Sequence, residues 1–271
     1  MNTKAVARAK PVESKPVAVK SGQMVTVADD FEQFAGVGFE EARAKTDYAI
    51  PFLTVLQSLS PGVQEGLEGY KPGMILNTVT KELSETLTVI PVHYTHTYVE
   101  WVPRNAGGGF RGEFHPDERE VEFNSLVDRK TGKATLPNGN ELTDTRNFYV
   151  LIGHDDGGVS PALISMTSSQ IAVAKNLCSL LNKKRRGQSG NLYTPAMAVN
   201  LLTLKTRMKS NAKGKWYVWD FELLGDNSAR EQIEQGLSFH DQISAGKVVI
   251  DRAAEQQADL ESEQAEESDD L

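Results

Sequence analysis

The window His93–Gly112, HYTHTYVEWVPRNAGGGFRG, gathers His93 and His96, the aromatics Tyr94, Tyr98, Trp101 and Phe110, the cations Arg104 and Arg111, and three consecutive glycines. Three chemistries use such a set: metal ligation, phosphate cradling and the stacking of flat bases. The β-branched and aromatic content of residues 86–102 predicts one long bent strand. In a strand, side chains alternate faces, so His93 and His96 point to opposite sides and do not share one ion. No Asp/Glu/Cys cluster completes a ligand set with His115, and no metal is expected. NAGGGFRG lacks the Lys-Ser/Thr ending of a nucleotide-binding loop and does not sit between a strand and a helix, which excludes a nucleotide-hydrolysing cradle.

Stacking uses more of the residues. Tyr94, His96 and Tyr98 fall on one strand face, followed by Trp101, Arg104, Phe110 and Arg111. A base on an aromatic ring contributes roughly 1–3 kcal/mol whatever its identity, and guanidinium groups reach phosphates, so single-strand binding without strong sequence preference is expected. Tyr94, Tyr98 and Trp101 fit a core or rim position equally well. A second aromatic cluster, Trp216, Tyr217 and Trp219, follows Lys209, Lys213 and Lys215. Alternation sets Trp216 with Val218 and Tyr217 with Trp219, so one pair is expected to be buried and the other exposed; Tyr217 or Trp219 is taken as the exposed partner, and Trp219 is counted in the interface.

From Gly157 to Trp219 there is no Asp or Glu, while ten cations fall in the same stretch, among them Lys183, Lys184, Arg185, Arg186, Lys205, Arg207, Lys209 and Lys215. These are the expected phosphate contacts. Charge runs of this kind are commonly solvated surface, but so long an acid-free stretch favours a polyanionic ligand. Residues 251–271 carry nine carboxylates against Arg252 alone and so account for the whole net charge of −8. The remainder is neutral, with 28 acidic and 28 basic residues.

Catalysis has no equivalent constellation. Asp155 and Asp156 lie in a Gly-rich turn, Glu40 and Glu41 in a polar lead-in, and Cys178 in an apolar helical pattern with no activating neighbour. A binding protein without catalytic residues or cofactor is expected. A metal-dependent nuclease through His154, Asp155 and Asp156 is the minority alternative.

The elements that position these residues are mostly strands. KPGMILNTVT reads as a strand after the Pro72-Gly73 turn, and IPFLTVLQSLSPGVQEG is left open between strand and short helix. Pro91 marks an edge or bulge in the long strand. Residues 103–146, full of turn signals, are expected to form a long excursion or hairpin on the domain surface. RNFYVLIG and SPALISMTS are two strands joined at HDDGG. Next comes a helix with Ser169 as N-cap, Ile171, Ala174, Leu177, Leu180 and Leu181 at helical spacing, and basic residues in its last turn. AVNLLTLKTRM and KWYVWDFELLG read as two further strands separated by the Lys-rich turn KSNAKG, and a polar helix closes the body at roughly 228–245.

Strands, one helix and further strands, with long loops, predict a mainly β fold: a small barrel of about five strands like the oligonucleotide-binding fold. An α+β sheet with helices on one face is the alternative. Three regions are expected: a disordered basic arm at 1–28, the folded domain at 29–250 and a disordered acidic tail at 251–271. No apolar run approaches the roughly 18 residues of a membrane span, and no secretory signal is present, so the expected location is the cytoplasm. A single cysteine excludes an internal disulfide.

IPFLTVLQSLSPGV (50–63), KPGMILNTVT (71–80), YVEWVPRNAGGGFRGEF (98–114), the strand order and the acidic C-terminus together resemble bacteriophage single-stranded DNA-binding proteins. The resemblance implies an oligonucleotide-binding fold that coats transient single strands in an infected bacterial cell. It further implies a tail that recruits replication or recombination proteins, and homo-oligomerisation is a further expectation. On electrostatic grounds the tail is also expected to compete with DNA for the basic surface. A strand-annealing recombination protein and a phage structural or assembly protein are the alternatives.

Overall fold

The computed structural model describes residues 37–38, 49–129, 131–212 and 214–252. The expected arm at 1–28 and all but the first two residues of the acidic tail lie outside the described residues. Two compact units divide the chain: Met1–Ala42, of which only the turn at Val37 and Gly38 is described, and Arg43–Leu271, which contains every element below.

The expected long strand is β4, Thr86–Trp101, counted after the short strands β1 (Leu53–Val55), β2 (Ile75–Asn77) and β3 (Leu83–Ser84). A one-turn helix, α1 (Pro61–Gln64), separates β1 from β2. The remaining strands are β5 (Phe110–Phe114), β6 (Lys133–Thr135), β7 (Glu141–Gly153), β8 (Val159–Met166), the two-residue strands β9 (Arg185–Arg186) and β10 (Leu192–Tyr193), β11 (Asn200–Asn211) and β12 (Gly214–Asp226). The helices are α2 (Pro116–Leu126), α3 (Ile171–Leu181) and α4 (Arg230–Ser244).

Strands β4 and β7 pair antiparallel over nearly their full length, and the register slips between Pro91 and His93, where the ring nitrogen cannot donate to the ladder. Each of the two strands divides its other edge between two partners. β4 gives Thr86–Val89 to β11 and Tyr98–Trp101 to β5, while β7 gives its first residues to β6 and Arg146–Gly153 to β8. The result is a body ordered β12-β11-β4-β7-β8, continued by a narrower arm ordered β5-β4-β7-β6.

The protein is mainly β, as expected, but the expected closed barrel is an open antiparallel sheet. Its outermost body strands, β12 and β8, are covered rather than joined. Phe52 bridges Leu163 on β8. On β12, the Gln57 amide donates to the Tyr217 carbonyl and accepts from the Tyr217 N–H, each at 2.9 Å, and Gln170 Oε1 accepts from the Trp219 N–H at 2.9 Å. Side-chain amides that satisfy edge groups remove the need for a closing strand and block edge pairing. Gly73 allows this approach: at φ +90° it lies against Tyr217, and a Cβ there would fall 2.6 Å from the ring.

One sheet face carries α3, with Val173, Ala174, Leu177 and Leu181 packed among Phe148, Val150, Ile164, Met166, Leu202, Leu204 and Trp219. Ser169 is not its cap: a 3-10 turn, Ser168–Gln170, precedes the helix, Gln170 occupies the cap position and its side chain is committed to β12. Nor do cations occupy the last turn, because the helix ends at Leu181 and the basic run follows it. The other face carries α4, where Phe239 covers Ile90, Val92, Tyr149 and Leu151. A third core, formed by Tyr98, Phe123, Ala134, Leu136 and Leu142, holds α2 on the arm. The excursion at 103–146 therefore contains a helix that the sequence reading did not anticipate.

His93 on β4 and His240 on α4 meet with their Nδ1 atoms 2.9 Å apart, an arrangement that needs one nitrogen to donate and the other to accept. Tyr149 flanks His93 edge-on, and Ser244 Oγ lies 3.4 Å from His240 Nε2. Burial, then His240, holds the His93 pKa below 6.5; burial, then Arg146, does the same for His96. A depressed histidine pKa means that the unfolded chain binds more protons below pH 6.5 than the folded one, so stability present above that pH is lost as pH falls through it. Melting curves are expected to show a lower Tm at pH 5.5 than at pH 7.5, and His93→Gln is expected to shrink the difference. An equal Tm at both values would remove the α4 contact as a pH-sensitive element.

Candidate nucleic-acid interface

Cross-strand register confirms that Tyr94, His96 and Tyr98 share a face, opposite Phe148, Arg146 and Asp144 respectively, and that His93 lies on the other. Sharing a face does not make them equivalent. Tyr98 is 2% exposed, its ring 4.8 Å from Phe123, and its phenol is pushed up to about 12 by burial and then by Asp144 and Glu120. It is a core residue of the arm and offers no free ring face. Trp219 is likewise corrected: at 1% exposure it fills the α3 core, because its register partner Thr206 is on the buried side of β11. Trp101 packs edge-to-face on Phe110 at 5.8 Å, and Phe110 and Arg111 are exposed on β5, after the 3-10 turn that holds Arg104 and the left-handed run Gly107–Gly109.

Tyr94 is half-buried and is the predicted aromatic that borders a cavity. One side of its ring packs on Phe148 at 4.9 Å. Its hydroxyl accepts from Arg146 Nη1 at 3.1 Å, and Arg146 in turn forks onto Asp144 at 2.8 and 2.9 Å, with His96 Nε2 3.1 Å from the same carboxylate. Burial opposes the Arg146 charge, but the bonds to Asp144 and Tyr94 outweigh it and raise the pKa, so this cation is permanent. Burial also raises the Tyr94 phenol, against the pull of Arg146, and the ring therefore stays neutral. Tyr94 and Phe148 then form the floor of a cavity of about 190 Å³. Leu181, Pro195 and Met197 supply apolar walls, the Cys178 thiol, kept protonated by burial, faces it, and Asn182 and Thr194 form an exposed rim.

Lys183 and Lys184 follow Asn182 directly, are exposed and make no ion pair with a described residue. Four other cations of the acid-free stretch are engaged. Arg185 binds Asp226 and Asn200, Arg186 donates to the Gly190 carbonyl at 2.6 Å, Lys205 pairs with Glu222 at 2.8 Å, and Arg207 lies 3.8 Å from Asp220. The reason is register: acids just beyond the stretch return on β12 to face β11, with Lys205 directly opposite Asp220. Lys209 stands opposite Trp216, and Lys215 is exposed near the hairpin tip. The predicted residues thus divide among the β5 rim, the end of α3 and the β11–β12 hairpin.

Sequence reasoning missed Arg146, Phe148, Cys178, Thr194 and Met197. They come from three separate segments, and their meeting depends on cross-strand register and helix packing that no local signal in the sequence carries. At the C-terminal end of the described chain, Arg252 is 3% exposed and binds Glu113 on β5 at 2.7 Å, two residues from Arg111.

Among the described residues no group of His, Cys, Asp and Glu could hold a metal ion, and no helix is long and apolar enough to cross a membrane. The model of the Pam3 phage gp34-like protein family matches residues 19–249. No curated protein and no solved structure matches the chain.

Proposed function

We propose that this chain, which belongs to the Pam3 phage gp34-like protein family, is a non-enzymatic protein that binds and coats single-stranded DNA during phage replication and recombination. The observation that carries the reading is Tyr94 at an open apolar cavity whose rim residue Asn182 is followed directly in the chain by the exposed Lys183 and Lys184. Aromatic floor and backbone-tracking cations are the two ingredients of single-strand recognition, and a paired, stacked base cannot leave a duplex for the cavity without cost. An oligonucleotide-binding barrel offers these ingredients on a curved sheet. Here β4, β7 and the segment after α3 offer them on an open one. Phe110 and Arg111, with Trp101 beneath, are a second contact region on the arm.

In this reading the acidic residues 253–271 modulate access and recruit replication or recombination partners. Their tether is the Arg252–Glu113 pair, which starts the segment beside Arg111. A second reading, a phage assembly protein, is favoured by the exposed apolar side chains Leu223 and Leu224 on β12 and Leu192 and Tyr193 on β10.

Fluorescence anisotropy of a labelled oligo-dT of about 30 nucleotides, at low and high salt and against a duplex of equal length, tests the reading. Salt-sensitive binding that prefers the single strand is expected. No binding at low salt, together with a stable homo-oligomer, would move the chain to the assembly reading.

A further inference from the structure

We infer that the cavity over Tyr94 captures one unpaired pyrimidine base of a bound strand, so that the protein prefers pyrimidine tracts. This rests on the single-strand reading and adds a base-sized subsite to it. Size is the first argument: an apolar protein cavity of about 150 Å³ accepts benzene. About 190 Å³ therefore matches one six-membered ring with its exocyclic groups more closely than a fused purine. Preorganisation is the second. Phe148 behind the Tyr94 ring and Arg146 on its hydroxyl fix the ring before any ligand arrives, so no side-chain freedom is lost on stacking.

The rim is the third argument. Asn182 and Thr194 touch each other only at the 3.5 Å limit of a hydrogen bond, so the amide and hydroxyl remain able to pair with the polar edge of a base whose ring is inside. Charge placement is the fourth. Lys183 and Lys184 continue directly from the rim residue Asn182 and are exposed, which keeps two cations within two residues of the mouth for the phosphates that flank an inserted base.

The test compares the full-length protein with two variants on 30-nucleotide dT, dA and abasic strands across a salt series. Thr194→Trp lays a ring over the mouth without touching the core, and Asn182→Ala removes the rim amide; melting curves check that both remain folded. The wild type is expected to bind dT about tenfold more tightly than dA or the abasic strand, as one stacked and paired base would give. Thr194→Trp is expected to abolish that preference with the salt slope unchanged, because Lys183 and Lys184 remain, and Asn182→Ala to reduce it. Equal affinity for all three strands, or a preference that survives Thr194→Trp, overturns the base pocket and leaves single-strand binding standing. Absence of binding to any strand at low salt overturns the single-strand reading itself.

Discussion

Trp219→Ala is expected to lower the stability of the folded body by about 3–5 kcal/mol, the cost of emptying a large aromatic site in a core that relaxes only partly. Trp219 is 1% exposed, packs among β8, β11 and α3 residues, and its backbone N–H is held by Gln170. For a domain of this length each kcal/mol shifts Tm by roughly 2–4 °C, so thermal melts separate the variant clearly from the wild type. Trp219→Phe keeps most of the buried area and should recover much of the loss. At temperatures where the alanine variant is still folded, its affinity for single strands should match the wild type. A base-stacking Trp219 predicts the reverse, preserved Tm with weakened binding, and that result would return this residue to the interface.

The Trp219 case shows what a linear reading of aromatic clusters can and cannot do. Alternation places Trp216 and Tyr217 on different sides of β12, yet nothing local says which side faces α3. The long strand β4, the hairpins β7–β8 and β11–β12, and helices α3 and α4 are legible because β-branched runs, Gly-rich turns and a 3.6-residue apolar period are all local signals. Helix α2 has no such period, with Phe123 its one buried side chain. Its signal is at its start, where His115 caps, Pro116 occupies the first turn and Asp117 and Glu118 meet the helix dipole.

Barrel closure failed for a different reason. Strand order along a chain does not state which edges meet, and Gln57 and Gln170, polar residues with no motif around them, cover the β12 edge. The acid-free stretch misled in the same way: segregation in sequence is not segregation in space when Asp220, Glu222 and Asp226 fold back onto Lys205, Arg207 and Arg185. What survives of the basic stripe next in sequence to the cavity's rim residue Asn182 is Lys183 and Lys184.

Those two lysines carry the largest expected effect on binding. Each phosphate contact to a single strand contributes about 0.7 to the slope of log K against log salt. Removing two with Lys183→Gln and Lys184→Gln should flatten that slope by about 1.4. Extrapolated from 1 M, where the counterion contribution vanishes, the double variant should bind dT about 65-fold more weakly at 50 mM monovalent salt and about tenfold more weakly at 200 mM. Its Tm should not move, since exposed substitutions away from packed or paired groups stay within about ±0.5 kcal/mol. Lys205→Gln with Arg207→Gln is the informative comparison. Both side chains already face carboxylates, so neutralising them removes cation and leaves Glu222 and Asp220 unmatched without opening a phosphate site. If that pair flattens the salt slope more than the lysines do, the strand runs along the β11–β12 hairpin and the end of α3 is not the phosphate track.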